Sequence, residues 1–330
     1  MQLTALPIFI LYTPIKLSPG SIWTCSSFLA TSTVVFRCTW TNAVELPVCL
    51  LDVPWARKNS GFTLLFEMKS LELLKLTGCK SAVARHFGIY SQRVETTYNC
   101  YTEHAYQQRE PLVVQKAGLD ETSTRKGHDY ISVFWDTAQD RLLDLRPGKS
   151  GAVVDDYVGE CELLGQHPRQ VINEVVCDMS PAFRKGVCEQ LPLTRVTFDR
   201  FHVVQLIHRY LDPLKRSKSI DHTRLYAYID ELDQLWEQPD ESSAAAFLVY
   251  WMDRGKELFG LRRLRKSIDR HFTGIVAYCR THLTNGKLEG INNKIQWIKR
   301  AARGYRTKDN FMRMVCFMFT PQVLTNQPIP

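Results

Sequence analysis

A chain of 330 residues, 45% hydrophobic and 23% charged, has enough apolar surface for one large domain or two to three smaller ones, which excludes disordered and fibrous classes. Its formal net charge of +8 leans towards a polyanionic partner. No apolar run reaches the roughly 18 residues of a membrane span, and ten scattered cysteines without a CxxC pair do not form a disulfide framework, so a reducing cytoplasm is expected.

Residues 1–50 are rich in Thr, Ser and Cys, almost uncharged, and show no sustained helix or strand period. The start "MQLTALPIFILYTPIKL" lacks a basic segment before its apolar patch and contains two prolines, a poor fit to a signal peptide. Ordinary globular composition begins near "DVPWARKNSGFT", so a boundary is placed near residue 50. Residues 64–106 read as helical. Within them "CKSAVARHFGIYSQRVETTYNCY" has Ala82, Val83, Phe87, a Gly88 turn and Val94 at helical spacing, with Ser91 as N-cap of a second helix. That pattern fits a helix-turn-helix, in which Arg85, Gln92 and Arg93 would face DNA, or a plain helical hairpin.

Strand character follows: "PLVVQKAGLDE", then two strands near 129–136 and 141–146 joined by a turn at 137–140. A helix over 151–166, a strand over 171–177, a helix over 181–190 and a strand over 194–198 complete a mixed α/β sheet with flanking helices. Residues 204–280 read as helical and charged, and a further helix covers 284–305. The DNA-binding region is therefore expected at 51–108 and a sheet domain with a helical insertion at 109–330.

Three carboxylates stand out. Asp120 and Asp178 are expected at the ends of the first and fourth strands, where functional groups of open α/β sheets gather. Glu289 heads a polar helix face shared with Asn292 or Asn293, Gln296 and Arg300, separate from an apolar stripe at Ile291, Ile295, Ile298 and Ala302. Three carboxylates together repel unless cations neutralise them, and two Mg²⁺ ions suit an all-oxygen site that acts on a phosphodiester. Lys126, Lys287, Lys294, Lys299, Arg300 and Arg303 would hold the DNA backbone. Taken singly, Asp120 reads equally as a turn cap, Asp178 as a turn residue ahead of a Ser180-Pro181 helix start, and Glu289 as a first-turn helix acid.

"LDETSTRKGHDY" (119–130), "VVCDMSPAFRKGV" (175–187), "TFDRFHVVQLI" (197–207) and "GKLEGINNKIQWIKRAARGYRTKDNF" (286–311) resemble the transposases of the ISL-three group of bacterial insertion sequences, from about Asp52 to the C-terminus. The resemblance implies a DDE enzyme with a ribonuclease-H-like core. Asp120, Asp178 and Glu289 would be its metal-binding triad, with Mg²⁺ or Mn²⁺ as cofactor and the 204–280 helices an insertion ahead of Glu289. Asp199 and His202 in "DRFHV" are secondary candidates; a buried, hydrogen-bonded histidine is the plainer reading of His202. The family's cysteine/histidine zinc segment ahead of "VPWAR" has no counterpart here: Cys25, Cys38 and Cys49 stand alone, and residues 1–50 are expected not to be native family sequence. Implied partners are double-stranded DNA, as terminal inverted repeats and target, and a second copy of the chain on DNA. A nucleoid-associated bacterial transposase is expected, with an inactive, repressor-like DNA binder as the alternative.

Overall fold

The structure is a computed structural model that describes residues 23–25, 34–36, 56–107, 113–125, 129–282 and 286–320. The first element is a short antiparallel pair, β1 (Trp23–Cys25) with β2 (Val34–Phe36), inside the segment expected to be irregular. The chain divides into two compact units, one of residues 1–108, 300–303 and 313–330, the other of residues 109–299 and 304–312.

In the first unit, α1 (Leu64–Thr77) starts where Thr63 Oγ1 accepts the Phe66 amide at 3.2 Å, and stops at Gly78 in the left-handed region. α2 (Lys80–Phe87) ends on Gly88, at φ 66°, and α3 (Ser91–Gln107) follows two residues later. Val94, Tyr98 and Tyr101 bury one face of α3 at helical spacing. Glu67 is fully buried on α1, but its charge is compensated: Arg57 donates at 2.9 Å, the Tyr101 hydroxyl at 2.9 Å, and Ser60 Oγ closes the set.

The second unit is built on a five-stranded sheet in the order β5-β4-β3-β6-β7. β3 (Lys116–Ser123), β4 (Tyr130–Asp136) and β5 (Arg141–Pro147) form an antiparallel meander, whereas β6 (Glu174–Cys177) and β7 (Arg195–Phe198) run parallel to β3. Parallel neighbours need long crossovers. These are α4 (Ala152–Leu163) with α5 (Pro168–Val171), and then α6 (Pro181–Gln190). α4 and α6 approach through glycines: a Cβ on Gly186 would lie 2.6 Å from the Gly151 carbonyl oxygen.

After β7 come α7 (Arg200–Lys215), α8 (His222–Glu231), a 3-10 turn at Leu232–Glu237, α9 (Glu241–Phe259), α10 (Arg262–Asp269), α11 (Phe272–Val276) and α12 (Tyr278–Thr281). These helices fill the segment expected to be an insertion. They have their own packed centre, where the Tyr228 and Trp251 rings stack at 4.4 Å and each donates a hydrogen bond to the other's carbonyl. One buried core runs from the sheet (Ala117, Leu119, Val175, Cys177, Phe198) through α4 and α6 into these helices. α13 (Gly286–Ala301) and α14 (Lys308–Phe319) complete the chain. The mixed sheet with its flanking helices fits the ribonuclease-H-like core that the resemblance implied.

Candidate active site and nucleic-acid interface

Strand register decides where the acids fall. Leu119 pairs with Cys177, and Cys177 with Phe198, all three buried in the core. The next residues along three neighbouring parallel strands are Asp120, Asp178 and Asp199. Adjacent strands lie about 4.8 Å apart, so Asp120 and Asp178 are immediate neighbours. Asp120 is not at the end of its strand as expected: β3 continues to Ser123 because β4 goes on pairing with it, and only the parallel ladder to β6 stops at Leu119.

Asp120 is half-buried, and burial is the main cause that pushes its pKa up to about 6. The charge of Asp178 pushes in the same direction. Opposing them are the Glu121 amide, which donates to Asp120 Oδ1 at 2.8 Å, the nearby His202, and Asn292 Nδ2, which donates to Oδ2 at 2.8 Å. Glu121 is also raised, chiefly by burial; Lys149, 3.7 Å from its carboxylate, pulls the other way, and Asp178 adds to the rise. Asp178 Oδ1 accepts the Ser180 amide at 2.9 Å. The helix start expected at Ser180-Pro181 is observed, with Ser180 at the cap position of α6 and Pro181 opening the helix; the Ser180 side chain makes no capping bond, and Asp178, as a turn residue, accepts the amide of Ser180 itself. Asp199 is buried at the start of α7, its amide donating to the Cys177 carbonyl at 3.3 Å. His202 is half-buried and close enough for its charge to act on Asp120 and Glu121.

α13 lies along the same face of β3. Gly118 faces Leu288, Asp120 bonds Asn292, and Gln296 Nε2 donates to Thr122 Oγ1 at 2.8 Å. Each step is two residues of strand and four of helix, about 6.7 Å against about 6 Å, so the two elements stay in step. Lys299 Nζ continues the line to the Ser123 carbonyl at 2.9 Å. Glu289 sits one residue after Leu288 and one turn before Asn292, and is exposed. Asn292, not Glu289, makes the contact to Asp120. Among the described residues no three His, Cys, Asp or Glu side chains are grouped closely enough to hold a metal ion.

The donor chemistry nevertheless fits a hard divalent cation. Two neighbouring carboxylates repel, and beside them Asn292 Oδ1 is buried without a hydrogen-bond partner among the described residues.

Of the expected DNA contacts, Arg85 and Gln92 are exposed on the helix-turn-helix, and Arg300 and Arg303 are exposed at and just beyond the end of α13. Arg93 is engaged within its own unit: its Nη2 donates to the Ser60 carbonyl at 2.6 Å, and its guanidinium lies 4.7 Å from the Phe62 ring centroid. Burial lowers the Lys294 amine. Lys126 and the Lys287 side chain lie outside the described residues, as do Cys38, Cys49 and the side chain of Cys25. Lys149 and Thr122 escaped the sequence reading: Lys149 belongs to no motif, Thr122 lies in the 119–130 block without being singled out, and only tertiary packing brings them beside Glu121 and Gln296.

A family model described as "Transposase" matches residues 117–222 and 214–315, and the helix-turn-helix domain of transposase family ISL3 matches residues 51–99. The chain belongs to the ISL3 transposase family. Among curated relatives, the transposase for insertion sequence element IS1001 of Bordetella parapertussis is 25% identical over 275 residues, covering 70% of this chain and 67% of the relative. The transposase for IS1557 of Mycobacterium tuberculosis is 26% identical over 172 residues, covering 51% of this chain and 37% of the relative. The chain thus spans two-thirds of one of these relatives and little more than a third of the other. A simian T-cell lymphotropic virus intasome structure matches at 15% identity, over 54% of this chain and 66% of that chain, with a TM-score of 0.21, too low to bear on the fold. No helix among the described residues is long and apolar enough to cross a membrane.

Proposed function

We propose that this ISL3-family chain is an insertion-sequence DNA transposase that cuts the ends of its element and joins them to target DNA. One observation carries the reading: Asp120 and Asp178 follow paired residues on neighbouring parallel strands, close enough for the charge of Asp178 to act on Asp120. Asp120, Asp178 and Glu289 would hold divalent cations, Mg²⁺ with Mn²⁺ as substitute. When bound, such ions activate the attacking oxygen and stabilise the leaving oxygen of a phosphodiester. Asn292 and the Glu121 amide hold both oxygens of Asp120 in fixed orientations, and His202 favours its ionised form. Asp199 and His202 remain supporting groups at the neighbouring strand end.

Residues 51–108 would recognise the element's ends through Arg85 and Gln92, and residues 109–330 would carry the chemistry, with the insertion near 204–280. Two ends must be processed together, which calls for at least a dimer on DNA, in the cytoplasm at the nucleoid. The competing reading is a repressor-like DNA binder. Incubation of the full chain with Mg²⁺ and end-bearing duplex separates the two: cleavage with joining supports the transposase, and binding alone supports the repressor. Asp178→Asn is expected to retain binding and to abolish cleavage; a fully active variant removes Asp178 from the site.

A further inference from the structure

The helices after β7 carry a cationic surface that the candidate active site does not use. α10 buries Leu264 and Ile268 and exposes Arg262, Arg263 and Lys266, with Arg270 exposed at its C-terminal cap. The acids on and beside it are already committed: Arg265 pairs with Asp253 of α9 and with Asp269 of α10, the latter at 4.0 Å. Arg262, Arg263, Lys266 and Arg270 have no ion-pair partner among the described residues. Arg262–Lys266 and Lys266–Arg270 are like-charge pairs at i,i+4, and Arg263–Lys266 is one at i,i+3. Such pairs each destabilise a helix by about 0.2–0.5 kcal/mol, so folding alone gives no reason for them.

The surface is also tied to the neighbourhood of the acids. Arg184, exposed on the first turns of α6 just beyond Asp178, donates from Nη1 to the Arg270 carbonyl at 2.9 Å. His271 reports the resulting field: burial is the main cause that lowers its pKa, and the charges of Arg184 and Arg270 lower it further. α11, next in the chain, packs on β7, whose end carries Asp199; a Cβ on Gly274 would lie 2.5 Å from the Phe198 ring. We propose that Arg184, Arg262, Arg263, Lys266 and Arg270 form a second DNA-binding surface that grips the backbone of the duplex leading away from the scissile phosphate. Arg262, Lys266 and Arg270 share a face over about 12 Å of helix. One strand of B-DNA presents a phosphate about every 3.4 Å along the axis, so the row spans about three phosphates. Four of the five cations are arginines, whose planar forks suit phosphate oxygens. No base-reading geometry is implied, so the grip is independent of sequence.

The inference rests on the transposase reading and has a separable test. The full chain and its Arg262→Gln/Arg263→Gln/Lys266→Gln/Arg270→Gln variant are titrated with a 30-base-pair duplex of random sequence across a salt series. A matching all-lysine variant (R262K/R263K/R270K) controls for folding, with circular dichroism on each. The glutamine variant is expected to bind at least tenfold more weakly at low salt. Its slope of log affinity against log salt should fall by about 3 to 4, at roughly 0.9 per lost phosphate contact. The lysine variant should keep the wild-type slope. Wild-type slopes in a folded glutamine variant remove the surface and leave the transposase reading intact. A wild-type protein that binds no duplex removes both. Loss of binding to anionic phosphatidylserine vesicles, with duplex binding unchanged, assigns the patch to membranes and overturns the proposal.

Discussion

Asp120 shows how a single residue is set against its own fold. Burial opposes the charged form of its carboxyl and pushes its pKa up to about 6 from 3.8 ordinarily. The folded state therefore binds the proton more tightly than the unfolded chain. Stability declines as pH rises from about 4 to about 6, and the cost is fully present above that range. A shift of about two units corresponds to at most roughly 3 kcal/mol. Asp120→Asn is expected to raise the melting temperature at pH 8 in a chelator while leaving it nearly unchanged at pH 4. Mg²⁺ should then stabilise the wild type and not the variant. Thermal melts at the two pH values, with and without Mg²⁺, read this out; equal Mg²⁺ stabilisation of both proteins would place the ion elsewhere.

At the scale of elements, the site depends on α13 staying in step with β3. Gly118 leaves room for the α13 side chain above it: a Cβ there would lie 2.6 Å from Leu288 Cδ1, and Leu288 is buried. Gly118→Ala should therefore displace α13, cost about 1–3 kcal/mol by overpacking, and reduce cleavage by moving Asn292 from Asp120. Leu288→Val removes the δ carbons, so the double variant should recover part of both losses. A double-mutant cycle on denaturation midpoints measures the coupling, and strict additivity would mean the contact does not hold the helix. The strands and the helices at 152–163 and 181–190 were legible in the sequence because their apolar periods and turn residues are local signals. The continuation of β3 past Asp120 was not. It depends on β4 as a hydrogen-bonding partner, and nothing in "LDETS" announces it. Ser180-Pro181 gave the right helix start, but the Ser180 side chain caps nothing; Asp178 instead fixes the turn ahead of the helix by accepting the Ser180 amide.

For the whole molecule, recognition and chemistry are expected to separate. Phosphate contacts position a protein on DNA without reading sequence, whereas side chains at base edges discriminate by about 1–3 kcal/mol for a good bidentate pair. Arg85→Ala with Gln92→Ala should lower affinity for element ends about tenfold or more, and leave Mn²⁺-dependent nicking of random duplex unchanged. Competition binding beside a nicking assay checks both; a parallel loss of nicking would tie these residues to the chemistry instead. Arg93 is not expected to behave like them, because it already holds Ser60 and stacks on Phe62, and its truncation should appear as lost stability.

The sequence by itself determined most element types from residue 64 onward and the family, and it nominated the acids, because these rest on local periodicity and on blocks of residues in order. Only the tertiary structure decided which acids meet. Parallel pairing of β3, β6 and β7 aligns Asp120, Asp178 and Asp199 in one row, and that register joins residues as distant in the chain as Lys116 and Glu174. The structure also decided that Asn292, rather than Glu289, holds Asp120 here: a helix lying on a strand selects one residue per turn for contact, and the residues on its other faces are left to solvent.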